Sequence, residues 1–240
     1  MENLKKIYIL HGWAYTTEKW DPFLDVLKKN GFSPIMLKIP GLTAPLEVPW
    51  TLEDYVNWFS GEIEKNTKIN EPVFILGHSN GGRIAIAYAK TKIEKVKGLI
   101  LVDSAGIYPK DKKSKIKKLI FGTLAKIGKF ANKNEKIKNL FYKFVGENDY
   151  NDANPVMKET MKNLLSVDLT PILKSITCPV SVIWGRDDRS TPLRDGILMQ
   201  KLFPNSNLNI IEGARHSPQF TNVEEVADII KKFYVEKTNI

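Results

Sequence analysis

The chemistry in this chain starts at Gly77-His78-Ser79-Asn80-Gly81, a G-x-S-x-G run. The apolar stretch Val73-Phe74-Ile75-Leu76 precedes it and Arg83-Ile84-Ala85-Ile86-Ala87-Tyr88-Ala89 follows. The flanks read as a strand and a buried helix, so the motif occupies a sharp strand-to-helix turn. Glycines at 77 and 81 remove side chains that would collide in so tight a turn. Ser79 is thereby pushed out with its hydroxyl exposed at a helix N-terminus, where unpaired backbone N–H groups favour developing negative charge. The N–H of Asn80 is one such donor. Alone, the pattern would also suit a turn that merely connects strand to helix, so its partners decide.

A serine hydroxyl becomes a useful nucleophile only when a base takes its proton. The base in turn needs a carboxylate on its other ring nitrogen, to fix the tautomer and stabilise the imidazolium. The chain supplies both. Asp188 lies in the loop after an apolar strand at Val180–Trp184, and His216 in the loop after a strand at Asn207–Ile211. Asp187 is the neighbouring alternative for the carboxylate. Asp103 also ends a strand, where a structural cap is the simpler role. His78 reads as packing beside the turn, and His11 as a shaper of its own loop rather than a proton carrier. The single cysteine, Cys178, excludes an intramolecular disulfide and suits a small buried side chain ahead of Pro179. No Cys/His cluster suggests a metal site, and neither metal nor organic cofactor is expected.

Alternating strands and helices must position these residues. Lys6–Leu10 is a strand that ends in His11-Gly12-Trp13. Asp21-Pro22 reads as an N-cap followed by proline at the first helical position, with Phe23, Leu24, Val26 and Leu27 as the buried face and Gly31 as the stop. Ser33–Ile39 is the next strand. A proline-rich loop runs to Trp50, and Thr51–Asp54 opens a helix with a capping box, its buried stripe being Tyr55, Trp58, Phe59 and Ile63. Val96–Asp103 is a further apolar strand. Residues 107–174 break the alternation and read as helices only: stripes over Ile116–Phe130 and Ile137–Val145, a helix over Val156–Leu165 and a short one at Leu169–Leu173. After the strand at Val180 come a helix from Leu193 to Leu202, the last strand, and a closing helix to Tyr234. The expected architecture is α/β: a mostly parallel sheet of about six strands flanked by helices, formed by residues 1–106 and 175–240. Residues 107–174 are an all-helical insertion, expected to lie over the C-terminal ends of the strands, where ligands bind in open α/β sheets.

The 240 residues suffice for one such domain, and the net charge of +9 is local. Residues 107–146 hold 12 lysines against Asp111 and Glu135, while the rest of the chain is close to neutral. Lys112, Lys113, Lys117 and Lys118 suit weak contact with an anionic membrane surface, although lysines facing water on an amphipathic helix are the simpler reading. Nucleic acid is not expected, because the aromatics follow the buried stripe and do not interleave with the lysines. No apolar run approaches the roughly 20 residues that span a bilayer. The first residues show no signal-peptide pattern, so cytoplasm is expected.

With these motifs the chain resembles the α/β-hydrolase family over nearly its whole length. Gly77-His78-Ser79-Asn80-Gly81-Gly82 matches the family's nucleophile elbow, and His11-Gly12-Trp13 is similar to its His-Gly oxyanion loop. Gly185, Asp188 and Pro192 match its acid loop, and Gly213-Ala214-Arg215-His216-Ser217-Pro218 resembles its histidine loop. The order Ser, Asp, His is the family's order. Two departures stand out: there is little room for the two strands that often precede the oxyanion loop, and Asn80 replaces a commoner bulky apolar residue. The resemblance implies Ser79 as nucleophile, Asp188 as orienting acid, His216 as base, and the backbone N–H groups of Trp13 and Asn80 as oxyanion donors. It implies that the 107–174 insertion is a cap or lid, and that the protein is a serine hydrolase cleaving a carboxylic ester with a small or apolar acyl group, the apolar preference following the cap composition. Carbon–carbon, thioester or lactone cleavage by the same triad is the alternative, and a non-catalytic binding module the alternative outside enzymes. The oligomeric state is not legible in the sequence.

Overall fold

A computed structural model describes residues 5–14, 16–68, 71–108 and 154–238. Its strands are β1 (Lys5–Leu10), β2 (Phe32–Met36), β3 (Val73–His78), β4 (Val96–Val102), β5 (Val180–Gly185) and β6 (Ser206–Ile211). Its α-helices are α1 (Asp21–Lys29), α2 (Leu52–Asn66), α3 (Asn80–Thr91), α4 (Pro155–Ser166), α5 (Leu193–Leu202), α6 (Pro218–Thr221) and α7 (Val223–Thr238). The strands form one sheet in the order β2-β1-β3-β4-β5-β6, and every pairing is parallel.

Successive side chains along a strand point to opposite faces, and here both faces are buried. Tyr8, Leu10, Ile75, Leu99, Leu101, Val182 and Trp184 enter one core, against α2, α3 and α5. Ile7, Ile9, Phe74, Leu76, Ile100, Val102 and Ile183 enter the other, against α1 and α7. Because all six strands run the same way, the loops at their C-terminal ends share one edge of the sheet, and Ser79, Asp103, Asp188 and His216 all stand there.

Local structure departs from expectation where tertiary contacts override it. Asp21 is the first residue of α1, not its N-cap; a 3-10 turn at Glu18–Trp20 runs straight into the helix and Trp20, buried and helical in φ and ψ, takes the cap position. β2 ends at Met36 and not at Ile39, since the chain then turns: the Ile39 carbonyl receives the N–H groups of Leu42, Thr43 and Ala44. The closing helix is split at Asn222 and runs on to Thr238.

The helices expected at Ile116–Phe130 and Ile137–Val145, and the lysine cluster Lys112, Lys113, Lys117 and Lys118, lie outside the described residues. The chain entering the 107–174 segment meets the chain leaving it: Leu169 N–H donates to the Gly106 carbonyl at 3.0 Å and Tyr108 N–H to Thr170 Oγ1 at 3.2 Å. α4, expected at Val156–Leu165, is capped by Asn154, whose side chain accepts from Met157 N–H at 2.9 Å. It rests on the loop before α2, with Thr160 Oγ1 receiving Trp50 N–H and Asn163 donating to the Trp50 carbonyl. The short helix expected at Leu169–Leu173 is a 3-10 helix over Thr170–Ser175, with Pro171 in its first turn.

α2 opens on the expected capping box: Asp54 N–H donates to Thr51 Oγ1 at 3.3 Å and Thr51 N–H to Asp54 Oδ2 at 2.7 Å. Thr51→Ala leaves a helix donor without its partner and should cost about 1 kcal/mol. The check is urea unfolding, which should show a lower midpoint at unchanged slope.

Candidate active site

Ser79 joins β3 to α3 with φ 52° and ψ −119°. Among the described residues only it and Asp103 have positive φ without being glycine. The cost of such a backbone is met by contacts that leave no other choice. Ser79 N–H donates to the Val102 carbonyl at 3.1 Å, and its carbonyl accepts from Ala105 at 2.9 Å and Gly82 at 3.0 Å. The end of β4 therefore grips the turn. A Cβ at Gly81 would lie 2.0 Å from the Leu10 carbonyl oxygen, so the first turn of α3 can approach β1 only with glycine there.

The acid and histidine loops are joined to each other before either reaches Ser79. Asp187 N–H donates to the Ala214 carbonyl at 2.9 Å and Arg186 N–H to the Ile211 carbonyl at 3.0 Å. At Gly185 a Cβ would sit 2.2 Å from the Arg215 carbonyl oxygen, so this close approach also requires glycine. From this joined base His216 reaches both neighbours: its Nδ1 is 2.8 Å from Asp188 Oδ2 and its Nε2 3.0 Å from Ser79 Oγ. With Nδ1–H donating to the carboxylate, Nε2 presents its lone pair to the serine hydroxyl.

Asp188 is buried and well supplied with donors. Ser190 N–H and Thr191 N–H reach Oδ1 at 2.7 and 3.1 Å, and the Thr191 hydroxyl reaches Oδ2 at 2.7 Å. Burial works to raise this carboxyl. The hydrogen bond and charge of His216, with the donors from Thr191 and Ser190, outweigh it and hold Asp188 below the ordinary carboxylate value. Asp187 is exposed and points no oxygen at His216. The Thr191 hydroxyl went unread in the sequence; its signal is the Asp-x-x-Thr turn, in which side chain and backbone of the fourth residue bond back to the first.

His78 does more than pack. Its Nε2–H donates to the His216 carbonyl at 2.8 Å, while its ring lies 5.2 Å from the His216 ring and edge-on to Trp20 at 5.9 Å. Burial and the neighbouring His216 push its pKa down to about 3, so it is a neutral donor in a fixed tautomer. His11 plays the structural part expected of it. Thr43 Oγ1 takes Ile39 N–H at 2.9 Å and donates to His11 Nε2 at 2.9 Å, and His11 Nδ1–H donates to the Gly12 carbonyl at 2.7 Å. Burial lowers the His11 pKa and keeps the ring neutral. The Gly12 carbonyl and the Trp13 N–H belong to one planar trans peptide and point in opposite directions. Anchoring the carbonyl on His11 thus aims the Trp13 N–H away from it. Thr43, which completes this chain, was not legible in the sequence. Asn80 is buried as the first residue of α3, so its N–H has no carbonyl one turn back within the helix.

Asp103, Asp188 and His216 place one donor atom each within 4.8 Å of one another, the one set of acidic and imidazole groups among the described residues compact enough to share a cation. Within this set His216 Nδ1 and Asp188 Oδ2 are already committed to each other at 2.8 Å.

Asp188→Asn should lower kcat by a factor on the order of 10⁴, because an amide favours the wrong imidazole tautomer. Asp187→Asn should change it by about twofold or less, as for an ordinary surface substitution. Steady-state kinetics of the two variants side by side checks the assignment, and a larger loss at Asp187 would reverse it.

A family model described as serine aminopeptidase, S33, matches residues 2–221. The pimeloyl-[acyl-carrier protein] methyl ester esterase of Legionella pneumophila (strain Paris) is 22% identical over 238 residues, covering 95% of this chain and 94% of that one. The proline iminopeptidase of Heyndrickxia coagulans is 29% identical over 214 residues, covering 77% and 73%. Among solved structures, an α/β hydrolase from a sediment metagenome of the Mar Chica lagoon superposes with a TM-score of 0.72 at 20% identity, covering 98% of this chain and 92% of that one. The family match takes in every described strand and the described helices up to α6, and the chain therefore belongs to the serine aminopeptidase S33 family of α/β-hydrolases.

Proposed function

We propose that the protein is a carboxylic-ester hydrolase that works through an acyl-enzyme on Ser79. The observation that carries this reading is the unbroken relay from Ser79 Oγ to His216 at 3.0 Å and from His216 to Asp188 at 2.8 Å. Ser79 Oγ attacks the ester carbonyl carbon as its proton passes to His216 Nε2, and the Asp188 carboxylate stabilises the imidazolium. The carbonyl oxygen becomes an oxyanion and is received by the N–H groups of Trp13 and Asn80. Removing one such donor typically costs about 3 kcal/mol in the transition state. Collapse of the adduct expels the alcohol, which takes the proton from His216. Water, deprotonated by the same ring, then attacks the acyl-enzyme and releases the acid and free Ser79.

The ester reading draws support from the Legionella relative, whose name specifies a methyl ester and whose match runs along almost the whole of both chains. Residues 1–106 and 175–240 form the hydrolase core in this reading, and 107–174 the cap, which agrees with the pairing of the insertion's two ends. Apolar residues of the 107–174 segment favour an apolar acyl group. The lysines at 112, 113, 117 and 118 fit weak contact with an anionic membrane surface, in a cytoplasmic setting. No described helix is long and apolar enough to cross a membrane.

Hydrolysis of p-nitrophenyl esters of increasing acyl length tests the proposal. Turnover should fall by a factor on the order of 10⁶ in Ser79→Ala, by analogy with serine-protease triads. An optimum at a long acyl chain would match the apolar cap. Turnover that survives in Ser79→Ala would remove Ser79 from the nucleophile's role. A folded wild-type protein inert to every ester would move the reading to carbon–carbon or thioester cleavage.

A further inference from the structure

The relay leaves one buried carboxyl beside it unused. Asp103 follows β4 directly, has no exposed surface, and holds a left-handed backbone with φ 42°. Its N–H donates to the Ile183 carbonyl at 3.0 Å, its carbonyl lies 3.0 Å from Thr191 Oγ1, and its Oδ1 accepts Gly185 N–H at 2.9 Å. Oδ2 is buried with no hydrogen-bond partner. Asp103 thus touches the acid loop at both its start, Gly185, and its end, Thr191.

Two carboxyls in such a place cannot both stay ionised. Asp103 and Asp188 have oxygens within 4.8 Å of each other, away from water, so one of them keeps its proton. The charge settles where the donors are. Asp188 receives Ser190 N–H, Thr191 N–H, the Thr191 hydroxyl and His216 Nδ1–H, while the Asp103 carboxyl receives only Gly185 N–H. Among the described residues, the titratable groups beside Asp103 are Asp188, whose charge and side chain act on it directly, and His216, which lies in the same cluster. Its remaining hydrogen-bond neighbours, Ile183, Gly185 and Thr191, are uncharged.

We propose that Asp103 is a positioning residue of the Ser79 site: a neutral carboxylic acid that supports the acid loop at Gly185 through Oδ1 and turns the proton on Oδ2 toward Asp188, which keeps its charge and its aim at His216. The proposal rests on the relay described above. Burial, with the Asp188 charge beside it, pushes the Asp103 carboxyl up to about 8, in agreement with a protonated group at neutral pH. A plain structural cap at the end of a strand would have no need of that proton.

Two variants separate the possibilities. Asp103→Asn keeps one oxygen for Gly185 and one N–H donor for Asp188, and it cannot ionise; Asp103→Ala removes both. The readout is the rate of Ser79 phosphonylation by a fluorophosphonate, in which Ser79 Oγ bonds to phosphorus, fluoride leaves and the hydroxyl proton passes to His216. Asp103→Ala should label roughly 10- to 100-fold more slowly, the scale of one lost buried hydrogen bond, and Asp103→Asn should recover most of that rate. The second readout is thermal melting against pH. Folding raises the carboxyl from its ordinary value of 3.8 to about 8, so its contribution to wild-type stability is present below the lower value and is lost as pH rises to the upper one. The Tm of Asp103→Asn relative to wild type should therefore climb between those two pH values and then level off.

A flat Tm difference, or Asp103→Asn labelling as slowly as Asp103→Ala, would overturn the proposal and make Asp103 an ionised strand cap. Unchanged labelling in both variants would also overturn it. If Asp103→Ala fails to fold, the pH course of Asp103→Asn melting decides alone. Wild-type protein that takes no label would instead refute Ser79 as nucleophile, and melting would still read the protonation of Asp103.

Discussion

Ser79 can keep its backbone at φ 52° only because β4 ends beside it. The Val102 carbonyl and the Ala105 N–H hold it from two sides, and the missing side chain at Gly81 lets α3 begin against β1. Three strands, β1, β3 and β4, therefore meet at one residue, and everything else in the site is measured from it. The parallel sheet supplies that meeting point. Parallel strands release all their C-terminal loops at one edge, whereas antiparallel neighbours would send alternate loops to opposite edges.

The acid and base are held differently. They sit on two loops that bond to each other at Asp187–Ala214 and Arg186–Ile211, and only then reach across to Ser79. His78 adds a tie from the β3 side by donating to the His216 carbonyl. The imidazole is thus fixed through its own backbone as well as through Asp188. Two neutral histidines, His11 and His78, support the site from different sides: one sets the direction of the Trp13 peptide and the other the position of the His216 loop. Each is kept uncharged by burial, which is what a fixed donor requires.

The parallel sheet and the three loops were legible because their signals are local: a strand of β-formers, a turn residue, then a polar side chain. Ser79, Asp188 and His216 each announce themselves within a few residues. Thr51 and Asp54 did the same for α2. What escaped depends on segments distant in the chain. Asp21 looked like a cap until the burial of Trp20 took precedence. Thr43 closes a turn whose purpose appears only beside His11, and Thr191 faces Asp188 and Asp103 together. Asp103 ends a strand in a common way, and nothing near it in sequence tells of a second carboxyl across the sheet edge.

The pairing of Gly106 with Leu169 and of Tyr108 with Thr170 has a consequence for how such proteins diversify. The core experiences the intervening chain as a loop already closed at its base. Closure entropy grows only with the logarithm of loop length, at about 0.6 kcal/mol for each doubling. A segment there can lengthen, shorten or be exchanged for another while the sheet and the relay keep their geometry. The segment between these paired ends and the relay at the sheet edge are thereby free to change at separate rates within one chain.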